Sequence, residues 1–147
     1  MHWIQKRTQI LLCEGEDVAD FSNWNAEALY FYDADRNIVE FIARKDIDSI
    51  NTNPFSVTDL LSISEIGIVS ADNKAIYEQL QAIRPIPIYD GSLERFCVLG
   101  NAEGLFILVN NTKKKWFPTQ EEAFVADFQL KGDYNFAFTN GQIITEK

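Results

Sequence analysis

Few residues in this chain have the type and spacing to do chemistry, so each can be weighed in turn. The single histidine, His2, is near the N-terminus. A Ser-His-Asp or Cys-His nucleophile would have to be built on it, and a histidine-rich metal site has no second ligand of that kind. The two cysteines, Cys13 and Cys97, sit inside apolar runs with no CxxC partner, which points to buried free thiols. Asp33-Ala34-Asp35-Arg36-Asn37 opens like a calcium loop, but the sixth position is Ile38 where glycine is required. The twelfth is Arg44, where a bidentate glutamate is required. Asp46 and Asp48 repeat the Asp-x-Asp spacing with nothing further to complete a metal site. No glycine-rich phosphate loop and no GxSxG elbow is present. Glu121-Glu122, and Glu14 with Glu16, would do acid–base work only inside a dry cleft. The expectation is therefore no cofactor, no metal and no catalytic constellation.

Two charged stretches remain. Lys113-Lys114-Lys115 runs into Trp116-Phe117, a basic and aromatic combination used on single-stranded nucleic acid. Against that stands a net charge of −9, which repels phosphate backbones. The run reads instead as a solvated turn leading into the core. The other stretch is acidic. Residues 1–73 hold 5 Lys/Arg and 13 Asp/Glu, a balance of −8, whereas residues 74–147 hold 8 and 9, a balance of −1. Glu14, Glu16, Asp17 and Asp20 accompany Phe21 and Trp24, and Asp33 and Asp35 occupy the next turn. Carboxylates around an aromatic anchor can steer and then hold a basic protein.

The elements that must position these residues follow from patterning. Leu105–Val109, bounded by Gly104 and Asn110-Asn111, suits a strand covered on both faces, with Leu93–Leu99 and Phe124–Leu130 as its neighbours. Ile10–Cys13 suits a first strand. Residues 14–25 read as a connection with a helical turn after Glu16. Glu27–Tyr32 and Ile38–Ile42 form a hairpin across an Asp- and Asn-rich loop. Ser56 and Asp59 make a capping box for a helical turn, and Glu65–Val69 reads as a strand. Ile76, Leu80 and Ile83 share one face of a helix over about 72–83, capped by Ser70 or Asp72 and stopped at Arg84-Pro85. Ile86–Tyr89 and Leu93–Leu99 are expected to be joined at Asp90-Gly91-Ser92, with Pro85 and Pro87 marking a sheet edge. Alternation over Phe124–Leu130 and Tyr134–Phe138 reads as β. Asn140-Gly141 is the strongest hairpin signal, leading into Gln142–Thr145.

The sum is an α+β fold: an antiparallel, mostly meandering sheet of about six to eight strands with one main helix packed on it. At 147 residues the chain is expected to be one domain, with a subdomain division conceivable near residue 70. No apolar run reaches the length of a membrane helix, and Ile10–Cys13 is too short for a signal-peptide core, so a cytoplasmic location is expected. The functional expectation is a non-catalytic module binding a basic protein, most concretely a small acidic inhibitor or immunity-type protein blocking a toxic nuclease. Its contact residues are Glu14, Glu16, Asp17, Asp20, Trp24, Asp33 and Asp35. The alternative is a small-ligand binder or enzyme with a carboxylate-containing pocket between helix and sheet.

Overall fold

The computed structural model describes residues 2–47 and 53–145. The fold is α+β with mostly antiparallel sheets and one main helix. Among the described residues there are eleven strands in three sheets, which corrects the single sheet of six to eight strands. The chain divides into two compact units: residues 1–62 with 117–119, and residues 63–116 with 120–147.

In the first unit, α1 (His2–Gln5) precedes β1 (Ile10–Leu11) and β2 (Ala19–Phe21), and then come β3 (Ala26–Tyr32) and β4 (Ile38–Arg44). β3 is the organising strand. β4 pairs along its whole length on one edge, and β1 and β2 share the other edge. Alternation places Ala28 and Tyr30 on a buried face with Cys13, Ala19, Phe21 and Ile42. Phe117 completes that core, edge-on to Phe21 at 6.1 Å and to Tyr30 at 5.5 Å. On the opposite face Phe31, Phe41, Phe55 and Trp3 follow one another in aromatic contact. Ser56 N–H donates to the Asp59 carboxylate at 2.6 Å, so the capping box forms on a single 3-10 turn, Val57–Asp59.

In the second unit, β5 (Glu65–Ser70), β6 (Ile88–Ser92), β7 (Phe96–Asn101) and β8 (Gly104–Asn110) form a sheet in the order β5-β8-β7-β6. β8 is covered on both faces as its composition requires. One face carries Phe106 and Leu108 beside Ile68, Cys97 and Leu99. The other carries Val109 with Val69, Ala123, Phe96, Ile107 and Trp116. The neighbours differ from expectation in one respect. β7 is present, but the other edge of β8 is taken by β5, in parallel. With both edges occupied, Phe124–Leu130 has no place there. Only β9 (Phe128–Leu130) is a strand, in a separate sheet β9-β10-β11 with β10 (Phe136–Thr139) and β11 (Gln142–Ile144). Phe124 is left 76% exposed.

A parallel pair needs a crossover, and α2 (Asn73–Ile83) provides its helical part. Asp72 caps it, accepting from Ala75 N–H at 3.1 Å, and Ser70 Oγ accepts from Asp72 N–H at 2.9 Å. Ile76 and Leu80 lie in the same core as Phe106, Phe136 and Phe138. Burial of each such side chain contributes about 1.5–3 kcal/mol. Asn140 and Gly141 both adopt positive φ, 52° and 77°, between Thr139 and Gln142, which pair directly. This is the two-residue turn expected of Asn-Gly.

The β6–β7 hairpin turns three residues later than expected. Ser92 pairs with Phe96, so Leu93-Glu94-Arg95 form the loop and Gly91 lies within the strand. The reason is backbone room. Gly91 has φ +79°, and a Cβ there would sit 2.3 Å from the Phe96 carbonyl oxygen. A register shift between Ile88 and Asp90 accompanies it, so Gly91 serves an irregular edge rather than a turn. β6 is indeed at the sheet edge. Gly91→Ala is expected to cost at least about 2 kcal/mol in urea unfolding. Gly132→Ala, with nothing within 4 Å of the added carbon, is expected to stay within about 0.5 kcal/mol. Equal effects would contradict this account of the edge.

Candidate functional site

The acidic residues of the first unit are placed by three local devices. The first is a tight turn. Cys13 and Glu16 exchange backbone hydrogen bonds at 2.8 and 3.0 Å, so Glu14 and Gly15 form a two-residue loop, with Glu14 at φ 54°. The helical turn expected after Glu16 comes later, at Ser22–Trp24. The residues between are drawn into β2, because Ala19 and Phe21 bury on the inner face of β3 and leave Asp20 outside.

The second device is strand pairing. Asp20 stands directly opposite Glu27, and both are exposed. Two carboxylates facing one another across a pair are destabilising by themselves. Lys45 relieves them: its ammonium lies 3.0 Å from the Glu27 carboxylate. The hydrogen bond and charge of Glu27, with Asp20 adding, raise the Lys45 pKa. Glu27 and Lys45 were not among the contact residues expected from sequence. Their signal was the alternation of β3, but β2 had to be recognised before Glu27 could be set against Asp20.

The third device is the β3–β4 loop. The Asp33 carboxylate accepts from Asp35 N–H at 2.9 Å, Asn37 N–H at 2.8 Å and Asn37 Nδ2 at 2.9 Å. These bonds, the Asn37 side chain first, hold its pKa below the usual carboxylate value. Asp33 therefore builds the loop, and Asp35 is exposed at its tip.

Along β3, then, the Asp20–Glu27 pair lies near one end and Asp33 with Asp35 at the other. At the usual strand rise the seven residues of β3 span about 20 Å. Glu14, Glu16 and Asp17 lie in the excursion that leaves the same edge between β1 and β2. Asp17 is half-buried and accepts from Gln5 Nε2 at 3.0 Å. Trp24 is half-buried and stacked on Phe21 at 5.9 Å, with the rings 22° from parallel. Of the Asp-x-Asp pair, Asp46 accepts from Asn25 Nδ2 at 2.6 Å, and Asp48 lies outside the described residues.

Both thiols are buried and free. Burial raises the Cys13 pKa, and Glu40 and Glu14 add to it. Burial, then Asp90, raises that of Cys97. Glu40 accepts a short hydrogen bond from Tyr30 Oη. Among the described residues, no three His, Cys, Asp or Glu side chains are gathered to hold a metal ion. In the second unit, a groove of about 350 Å³ opens between α2 and β11, lined by Gln79, Ala82, Ile83, Ile143 and Thr145. No carboxylate among the described residues lines it. Lys115 pairs with Glu122 at 2.8 Å, and Glu121 and Glu122 are both exposed.

Sequence reasoning also passed over Asn73. It occupies the first turn of α2, on the side of Ile76 and Leu80, and is 1% exposed. Among the described residues, neither Oδ1 nor Nδ2 of Asn73 has a hydrogen-bond partner. Neither a protein-family model nor a curated protein matches the chain.

Two measurements follow from these side chains. Neither thiol is expected to react with a disulfide reagent at neutral pH until urea unfolds the chain. A fast-reacting thiol in the folded protein would contradict the burial described. Asn73→Leu keeps the branched shape and removes an unpaired buried amide, so it is expected to stabilise by about 1 kcal/mol. A loss of stability would mean that the amide has a partner in solution.

Proposed function

We propose that this protein is a non-catalytic binding module that docks on a basic protein partner. In its most concrete form it is a small acidic cytoplasmic inhibitor of the immunity type, occluding the cationic site of a toxic nuclease. The observation that supports this reading is the distribution of exposed carboxylates along one edge of β3. Asp20 lies on that edge, Glu14 and Glu16 are exposed on the excursion that leaves it between β1 and β2, and Asp35 is in the loop at the far end of β3.

The physical logic is that of steering followed by docking. Exposed charges on a ridge of about 20 Å attract a basic surface over a distance set by ionic strength. Trp24, half-buried on Phe21, offers an aromatic surface that is already ordered, so its ordering cost on docking is small. Asp17 and Asp33 contribute differently from the others. Their carboxylates are engaged by Gln5 and by the β3–β4 loop, and they hold the shape of the ridge. The mechanism is steric occlusion, with side-chain carboxylates standing where a nucleic-acid phosphate would stand. The groove between α2 and β11 gives the small-ligand alternative less support, because its described lining carries no ionised group to fix a polar substrate.

The test is capture from lysate of the native host at low and moderate salt, with the variant Glu16→Lys/Asp17→Lys/Asp20→Lys beside the wild type. The expected result is a stoichiometric basic protein retained by the wild type, released by salt, and associating at least about tenfold more slowly with the variant. Unchanged association by the triple variant would remove this edge from the interface.

A further inference from the structure

The second unit holds a small group of cations for which the acidic ridge provides no account. β8 ends in Asn110, whose side chain organises the turn that follows. Asn110 Oδ1 accepts from Thr112 N–H at 3.0 Å and Thr112 Oγ1 at 2.7 Å, and Nδ2 donates to the Ala71 carbonyl at 2.9 Å. Lys113 and Lys114 N–H both donate to the Asn110 carbonyl, at 3.0 and 2.9 Å, and Asn111 N–H donates to the Ser70 carbonyl at 3.1 Å. The turn is thereby fixed to the end of β5 as well as to β8. Across it, Asn110 N–H donates to the Arg95 carbonyl at 2.9 Å. Arg95 Nε approaches the Lys113 carbonyl at 3.4 Å.

This scaffold gathers like charges. Lys114 is half-buried, with its ammonium 4.9 Å from the centre of the Phe96 ring. Burial, and then Arg95, pull its pKa below the ordinary lysine value. Lys115 next to it is neutralised by Glu122 at 2.8 Å. Among the described residues no carboxylate pairs with Arg95, Lys113 or Lys114. In a chain of net charge −9, Arg95 of the β6–β7 loop and Lys113 of the turn are exposed beside the half-buried Lys114, and all three remain open to an anion.

We propose that Arg95, Lys113 and Lys114 form a binding site for a multiply charged oxyanion of the phosphate or pyrophosphate type, carried by a small molecule. Arg95 offers directional donors suited to paired oxygens, and the two lysines supply compact charge. The aromatic residues beside the site decide against a polynucleotide. The Trp116 ring lies over Gly67, 2.6 Å from where a Cβ would be, and Lys114 covers a face of Phe96. Neither ring is offered for base stacking, which single-strand binders use to hold successive nucleotides.

The probe is inorganic pyrophosphate, titrated at low ionic strength by calorimetry and by backbone amide shifts. Saturable binding is expected, with shifts centred on Arg95, Phe96 and residues 110–115. Arg95→Gln combined with Lys114→Gln is expected to weaken binding at least about tenfold, and Lys115→Gln, whose cation is already paired, to leave it unchanged. The double variant removes repulsion and should fold, which circular dichroism checks; the wild-type shift map stands independently of it. Absence of saturation up to about 10 mM, or shifts away from the turn, would overturn the site. Tighter binding of a short single-stranded oligonucleotide at the same residues would replace the proposal with a nucleic-acid surface.

Discussion

The parallel pairing of Glu65–Ser70 with Gly104–Asn110 is the constraint on which the second unit depends. Parallel neighbours cannot be joined by a tight turn. The chain between them must leave the sheet and return, and it does so through α2 and the β6–β7 hairpin. The crossover helix then covers the face carrying Ile68, Leu108 and Leu99, together with Phe136 and Phe138 of the last sheet. The other face is closed by Trp116 and Ala123. Gly67 belongs to this arrangement, because a side chain there would occupy the volume of the Trp116 ring. β8, apolar on both faces, is the centre from which these requirements spread.

Local features of this fold were legible wherever residue chemistry alone decides geometry. Asn140-Gly141 makes the turn that its positive φ values require, Asp72 caps α2, and the proline-flanked β6 lies at an edge. Pairing over distance was not legible. β5 lies some forty residues before its partner, and nothing in EIGIVS distinguishes β8 from Phe124–Leu130 as a neighbour. Gly91 misled for a physical reason: the same positive φ that favours glycine in turns also serves a bulged edge. β2 is three residues long, too short for alternation to register against the acidic residues around it.

The candidate ridge shows the same division. Which residues are acidic is plain from sequence, and Glu14, Glu16, Asp20 and Asp35 prove exposed. What each carboxylate does was hidden. Asp33 is consumed by its own loop, and Asp20 faces Glu27 with Lys45 beside them. The cations at Asn110–Lys115 read as one basic run, yet the structure separates them, with Lys115 paired to Glu122, Lys114 set over the Phe96 ring and the Lys113 carbonyl accepting from Arg95 Nε. Fifteen or more positions separate Arg95 from that run, and only the β7–β8 hairpin brings them together.

Phe117 carries a consequence for how the chain is made. It packs with Phe21 and Tyr30 in the core of the first unit, as part of a short segment, 117–119, that joins that unit from beyond residues 1–62. During vectorial synthesis the β1–β4 segment therefore emerges well before its own core can be completed. Domains usually fold in order from the N-terminus as they leave the ribosome. Here the β1–β4 segment precedes Phe117, which packs into its core, by more than fifty positions in the chain. Its acidic composition keeps that nascent segment strongly charged through the interval, which disfavours aggregation.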